Sequence, residues 1–205
     1  PHNVLSFQSS ASTEVAQDQM RITLATTLEG SAAQEVQERL RKAIEAALAQ
    51  AKPQAVAEKM EVSTGSFRIN PRYSKDSRIT GWQGYAEIML EGTDFARITG
   101  TAAAIKSLSM NGISFGLSPK TQREAEAKAQ GDAINTFKNR AQQLSSAFGF
   151  RTYSIREVNI NGNEYGGMQP VAAARMKVMM ASPMMEADNA IPAEPGKKRV
   201  EVSVN

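Results

Sequence analysis

Six of the ten methionines in this 205-residue sequence fall in one stretch, as Met168, Met176, Met179, Met180, Met184 and Met185. Thioethers are soft ligands suited to Cu(I), and an exposed methionine is oxidised to the sulfoxide before core residues are harmed. The same side chain also packs adaptably at protein contacts. The neighbours favour the contact: the rest of the stretch from 168 to 195 is mostly small or polar, rich in alanine and proline, without a firm period. A module binding Cu(I) or an apolar ligand at this loop is the second reading, and no metal ligand is assigned.

Other chemistry is bounded by what is missing. There is no cysteine and a single histidine, His2. Disulfides, thiolate catalysis and cysteine-based metal sites are excluded, and Ser-His-Asp or Cys-His arrangements have no base in the body of the chain. Carboxylate or lysine chemistry is the third reading. Glu124 with Lys128 and Glu35 with Arg39 stand at helical i,i+4 spacing, which is ordinarily a solvated salt-bridging face. Gly162, Gly166 and Gly167 imitate a phosphate loop but lack the Gly-Lys-Ser/Thr ending. The expected list of catalytic residues, cofactors and metals is therefore empty, and the chain is read as not an enzyme.

The elements that would position these residues are written more clearly. Leu5, Phe7, Ser9 and Ala11 alternate with polar neighbours, and after a turn near Ala16-Gln17-Asp18 so do Met20, Ile22, Leu24, Thr26 and Leu28, which reads as a strand pair. Ser31 with Gln34 forms a capping box before Val36, Leu40, Ile44, Ala47, Leu48 and Ala51 at helical spacing, and Pro53 ends or kinks that helix. A long hairpin follows: Val62 and Thr64, then a bulge at Gly65, then Phe67, Ile69, Pro71 and Tyr73, returning through Trp82, Gly84, Ala86, Ile88 and Leu90. Pro71 cannot donate to a ladder, so its strand belongs at a sheet edge with a backbone row open to another chain. Phe67, Ile69, Pro71, Tyr73, Trp82 and Tyr85 are the expected subunit-contact hairpin. Its basic residues Arg68, Arg72, Lys75 and Arg78 read as a solvated region that discourages edge pairing, or as a contact for anionic lipid or a partner.

Thr93-Asp94 can cap a short helix of Phe95, Ile98, Ala102 and Ile105, Asn111-Gly112 turns the chain into a strand of Ile113, Phe115 and Leu117, and one long helix is predicted over about 119–148. Ser118 caps that helix, Pro119 suits its first position and Gly149 is its left-handed stop. Ala129, Ala133, Ile134, Phe137, Ala141, Leu144 and Phe148 form one apolar seam along a rod on the order of 45 Å. Tyr153 and Ile155, then Val158 and Ile160, alternate as a strand with a shifted phase, and Val200, Val202 and Val204 alternate as a closing strand. Strands adjacent in sequence with helices between blocks predict an α+β fold: mostly antiparallel sheets, helices packed on one face, and two intertwined subdomains, 31–107 and 1–30 with 108–205, within a single domain.

Composition agrees with an ordinary globular chain. Apolar residues make up 41% and charged residues 22%, and 24 basic against 21 acidic side chains leave +3. No apolar run approaches the ~20 residues of a membrane span. The basic residues are scattered without aromatic interleaving, so no nucleic-acid partner is expected. Absence of cysteine suits a bacterial periplasm, and the opening Pro1-His2-Asn3-Val4 is read as a mature form left after removal of a signal peptide.

Five segments stand in a recognisable order: Phe67-Arg68-Ile69-Asn70-Pro71-Arg72-Tyr73 with Ile79-Thr80-Gly81-Trp82-Gln83-Gly84-Tyr85; Asn111-Gly112-Ile113-Ser114-Phe115-Gly116-Leu117-Ser118; Arg140-Ala141-Gln142-Gln143-Leu144; Phe148-Gly149; and Ile191-Pro192-Ala193-Glu194-Pro195-Gly196 leading to Val200-Glu201-Val202-Ser203-Val204. In this order and spacing the sequence resembles the SIMPL-domain family, whose bacterial members include periplasmic oxidative stress defence proteins and periplasmic immunogenic proteins. Gln83 as an extra residue, and Pro53 in place of a glycine-containing turn, depart from the family pattern. The resemblance implies an exported α+β protein that assembles with itself into large homo-oligomers, touches the envelope peripherally at most, and serves in cell-envelope or oxidative-stress protection. It carries over no catalytic residue.

Overall fold

The computed structural model describes residues 4–162, 169–170 and 194–205. In chain order its elements are β1 (Ser9–Ala16), β2 (Gln19–Gly30), α1 (Ala33–Ala51), β3 (Glu61–Tyr73), β4 (Ile79–Gly92), α2 (Phe95–Ala104), β5 (Ser109–Gly116), α3 (Pro119–Ala147), β6 (Ile160–Gly162), β7 (Gln169–Pro170) and β8 (Lys197–Val204). The class is α+β, with antiparallel pairing of β1 with β8, β6 with β8, β2 with β4, β3 with β4 and β5 with β7. Two compact units divide the chain at Asp18/Gln19 and Phe115/Gly116 rather than at Gly30 and Ser107, so β2 and β5 belong with the long hairpin.

The larger unit is a five-stranded sheet in the order β3-β4-β2-β5-β7. Alternation puts Met20, Ile22 and Leu24 of β2, and Ala86, Ile88 and Leu90 of β4, on one face. Val36, Leu40, Ile44, Ala47 and Ala51 of α1 and Ile98 and Ala102 of α2 bury that face. The register of β3 against β4 slips between Thr64 and Phe67, which is the bulge expected at Gly65. Asp94 caps α2 by accepting from the Arg97 N–H at 3.1 Å. The capping box expected at Ser31 does not form: the N-cap is Ala32, without a side-chain hydrogen bond. α1 ends at Ala51, and Pro53 falls in a short 3-10 turn, Lys52–Gln54. Asn111-Gly112 is not a turn either, since both residues lie inside β5 and Gly112 keeps ordinary backbone angles.

The smaller unit is a three-stranded sheet, β1-β8-β6, covered by α3. Val200, Val202 and Val204 of β8 are buried, as the closing alternation requires. β1 does not pair with β2. Only Gln17 and Asp18 separate them, a pair without the glycine that a two-residue hairpin turn usually needs. Each instead finds a distant partner: the Gln17 N–H donates to the Gly196 carbonyl at 2.9 Å, and Asp18 binds the start of α3. The N-terminal strand begins at Ser9 rather than Leu5.

α3 has 29 residues, a rod of roughly 43 Å. The Ser118 hydroxyl accepts from the Thr121 N–H at 3.3 Å, Pro119 occupies the first turn, and Gly149 closes the end at φ +81. Its buried positions, Ala125, Ala129, Ala133, Phe137, Ala141 and Ser145, step by four along one side. Phe148 lies past the last turn and is 65% exposed, so it leaves the seam in which the sequence placed it. Residues 150–159 are not the strand expected from Tyr153 and Ile155. The Ser145 hydroxyl donates to the Phe150 and Thr152 carbonyls at 3.5 Å, which holds this segment to the helix, and ladder pairing begins only where Asn159 and Asn205 exchange backbone hydrogen bonds.

Gly131 sits on the exposed side of α3, and a Cβ there would meet nothing within 4 Å. Gly131→Ala should therefore stabilise the protein by about 0.5–1 kcal/mol, through a smaller loss of backbone entropy on folding. A rise in the urea midpoint at unchanged m-value is the expected reading; a fall would show that this helix position is not free.

Candidate functional site

β3 is the edge of the five-stranded sheet, thirteen residues long, with β4 on one side and, among the described residues, no strand on the other. Pro71 stands in it opposite Trp82, where its missing N–H costs the sheet least. Phe67 is 49% exposed, Tyr73 62% and, on the returning strand, Ile79 54%. An open backbone row carrying exposed apolar side chains is what a strand presents before it pairs with another chain.

The six hairpin residues expected to form one contact are split by the pleat. Phe67, Ile69, Pro71 and Trp82 alternate on the face that the helices cover, and Ile69 and Trp82 pack against the core beneath α1 and α2. Tyr85 pairs with Arg68 on the opposite face. Only Phe67 and Tyr73 of the six are open along the edge.

The face of the sheet opposite α1 and α2 carries a polar cluster centred on Tyr85. Its hydroxyl donates to Glu87 Oε2, the Ser66 N–H donates to Glu87 Oε1 at 3.0 Å, and Asn111 Nδ2 donates to the Tyr85 oxygen at 3.2 Å. The Arg68 guanidinium stacks over the Tyr85 ring, 4.5 Å from its centroid. The Tyr85 hydrogen bond, helped by Ser66, holds the Glu87 carboxyl below its usual range, and the same bond pushes the Tyr85 phenol up. Near neutral pH the pair is a phenol and a carboxylate. Neither is poised to exchange a proton, so the cluster suits binding and sheet rigidity rather than acid–base catalysis.

Two further acids of this face, Glu29 and Glu91, are engaged. Glu29 accepts from Arg72 and from Gln83, and Glu91 accepts from Arg21 Nε at 2.7 Å and Gln19 Nε2 at 2.8 Å. Arg72 is thus drawn into the sheet face rather than left in the basic tip. A shallow depression of about 520 Å³ beside α1 and α2 contains Asp94 and Arg97, which pair with each other at 3.3 Å.

Glu35 and Arg39 approach to 3.8 Å as an exposed i,i+4 pair, while Glu124 and Lys128 at the same spacing do not close. Met168, Met176, Met179, Met180, Met184 and Met185 lie outside the described residues, as do His2, Gly166 and Gly167. Among the described residues no group of three or more His, Asp and Glu could hold a metal ion, and no helix is long and apolar enough to cross a membrane. The alternation that turns Tyr85 away from the helices also places Arg68 and Glu87 on its face, a signal present in the sequence. Asn111 carried none, because it reaches Tyr85 only through strand order.

No curated protein matches the chain. One solved structure, described as the crystal structure of AtUAH in complex with glyoxylate, aligns over 62% of this chain at 13% identity and a TM-score of 0.28. The chain spans 33% of that protein's length, and so faint a likeness carries no argument. The profile of the SIMPL family, described as a protein of unknown function (DUF541), matches residues 5–205. A match that leaves out only the first four residues takes in both units, and this chain belongs to the SIMPL family.

Proposed function

We propose that this protein is an exported, non-enzymatic assembly protein in which β3 is a subunit contact, and that its role is protection of the cell envelope under oxidative stress. The observation that carries the assembly is the edge of β3, thirteen residues with Phe67 and Tyr73 exposed beside a backbone row that no strand among the described residues pairs. A second copy adding its own β3 would pair that row and cover both aromatic rings. Export and the stress role rest on the likeness to periplasmic members of the family, and the lack of cysteine is compatible with them.

Sedimentation of the purified chain at micromolar concentration should give a mass that is a multiple of 22.2 kDa. The double variant Phe67→Lys, Tyr73→Lys should sediment as the monomer and keep the parent's far-ultraviolet circular dichroism, because both side chains are exposed. A monomeric parent protein would overturn the assembly. Cells lacking the protein should recover peroxide tolerance from the parent chain and not from the double variant; equal rescue would separate assembly from protection.

A further inference from the structure

The smaller unit carries a groove that takes no part in the proposed assembly contact. Phe137, Ala141 and Leu144 of α3 form its floor, residues 4–7 one wall and residues 150–157 the other. It encloses about 790 Å³, within the range of roughly 300–1,000 Å³ typical of small-molecule sites. Phe7 lies nearly parallel to Phe137, with ring centroids 4.5 Å apart. The second wall is tied to α3 through Ser145 and through the Tyr153 hydroxyl, which donates to the Lys138 carbonyl at 3.5 Å. Phe148 and Ile155 turn large apolar surfaces into the groove and remain more than half exposed. A groove of this size with an apolar floor and a few polar groups on its walls has the make-up of a small-molecule site.

Its charge states what would fill it. Arg140 stands over the Phe7 ring, 5.9 Å from the centroid, and Arg156 lines the second wall. Neither guanidinium pairs with a carboxylate among the described residues. Glu157, the one acid of the lining, accepts instead from Asn159 Nδ2 at 3.3 Å. A groove with an apolar floor and, at its margins, two cations that no carboxylate among the described residues neutralises complements a ligand with an alkyl chain and an anionic head. We propose that this groove binds a free long-chain fatty acid, its chain laid along α3 and its carboxylate at Arg140 or Arg156.

Displacement of anilinonaphthalene sulfonate from the full chain, at low ionic strength so that the charges are not screened, tests this. Hexadecanoate should displace the dye, and each methylene removed down to dodecanoate should weaken binding about twofold, since an open groove buries only part of each methylene. Methyl hexadecanoate, without the charge, should bind about two- to fivefold more weakly. Arg140→Glu or Arg156→Glu, whichever holds the head, should lower affinity for the acid and leave the ester unchanged. Phe148→Glu and Ile155→Glu, both at exposed positions, should weaken the ester by about tenfold and the acid by at least as much, since the new carboxylate also repels its head.

Equal affinity for acid and ester, indifference to both apolar substitutions, or binding to phospholipid vesicles alone would overturn the proposal. So would failure of any fatty acid to displace the dye while Phe148→Glu lowers the sedimenting mass, which would identify the groove as a contact for a second copy. Because β3 contributes nothing to the groove, the Phe67→Lys, Tyr73→Lys variant should bind hexadecanoate as the parent does.

Discussion

Gly92→Ala is expected to destabilise the protein by about 3 kcal/mol, far more than an alanine at an ordinary strand end. A Cβ on Gly92 would stand 2.1 Å from the Lys59 carbonyl oxygen, 2.5 Å from its carbon and 2.9 Å from the Met60 Cα. All three are backbone atoms, so no side chain can swing away. The backbone itself is held on both sides. The Asp94 N–H donates to the Lys59 carbonyl at 3.0 Å, and the Thr93 hydroxyl and N–H both donate to the Glu58 carbonyl, at 3.1 and 3.3 Å. Val56 and Met60 form an isolated bridge, and the Met60 side chain is wholly buried. Glu58 keeps a left-handed φ of 63, so this turn already sits in a sparsely allowed conformation.

Retreat of residues 58–60 would break those bonds and pull Met60 from the core. Urea unfolding should show the loss as a lowered midpoint at unchanged m-value. Gly112→Ala is the control, because a Cβ there meets nothing within 4 Å, and it should lie within about 0.5 kcal/mol of the parent. If the two variants unfold alike, the close approach at Gly92 is not a constraint.

The second large effect belongs to Asp18. Its carboxylate accepts from the Ser118 N–H and hydroxyl, both at 2.7 Å, and from the Thr121 hydroxyl at 2.6 Å, reaching 100 residues along the chain to the N-terminus of α3. It therefore holds together the cap, the first turn and the exit of β1, and it places negative charge where the helix dipole favours it. Burial works against its ionisation, but the hydrogen bonds from Thr121 and Ser118 outweigh that, and the carboxyl is held below its ordinary value of 3.8.

Asp18→Ala should cost about 2–3 kcal/mol, because it leaves the donors of a part-buried site without their acceptor. Asp18→Asn should cost less, about 1–2 kcal/mol, since an amide keeps one acceptor and loses the charge. The pH dependence has a definite sign. A folded-state value below the unfolded one means that the contribution is fully present above the unfolded value and is lost as pH falls through the folded one. The stability gap between the parent and Asp18→Asn should thus be constant from pH 7 down to about 5 and narrow as the pH falls below about 4. A gap that stayed constant to the lowest pH, or widened, would mean that the charge on Asp18 contributes nothing.

How far the sequence could be read depends on the range of the interaction involved. The ends of α3 were legible because Ser118, Pro119 and Gly149 act on their own backbone or on residues within one turn. The two faces of β2 and β4, the slip at Gly65 and the closing strand at Val200, Val202 and Val204 were legible because the pleat repeats every two residues. Phe148 belonged to the same apolar period but fell beyond the last helical turn, where the period no longer applies.

Partner choice was not legible. β1 and β2 look like a hairpin in one dimension, yet β1 pairs with β8 and β2 with β4, because antiparallel pairing depends on which edges are free when the chain returns. Asp18, with its partners about 100 residues away, reads as a turn residue until α3 is in place. Asn111 reaches Tyr85 only once β5 has joined the sheet, and Gly92 is needed only because residues 58–60 fold against it. The groove along α3 likewise exists because residues 4–7 and 150–157 run past the same helix without entering a ladder. Local dihedral preference and hydrophobic period are properties of neighbouring residues and survive in the bare sequence. Edges, close approaches and grooves are properties of segments brought together from afar, and they come into being only when the chain has closed on itself.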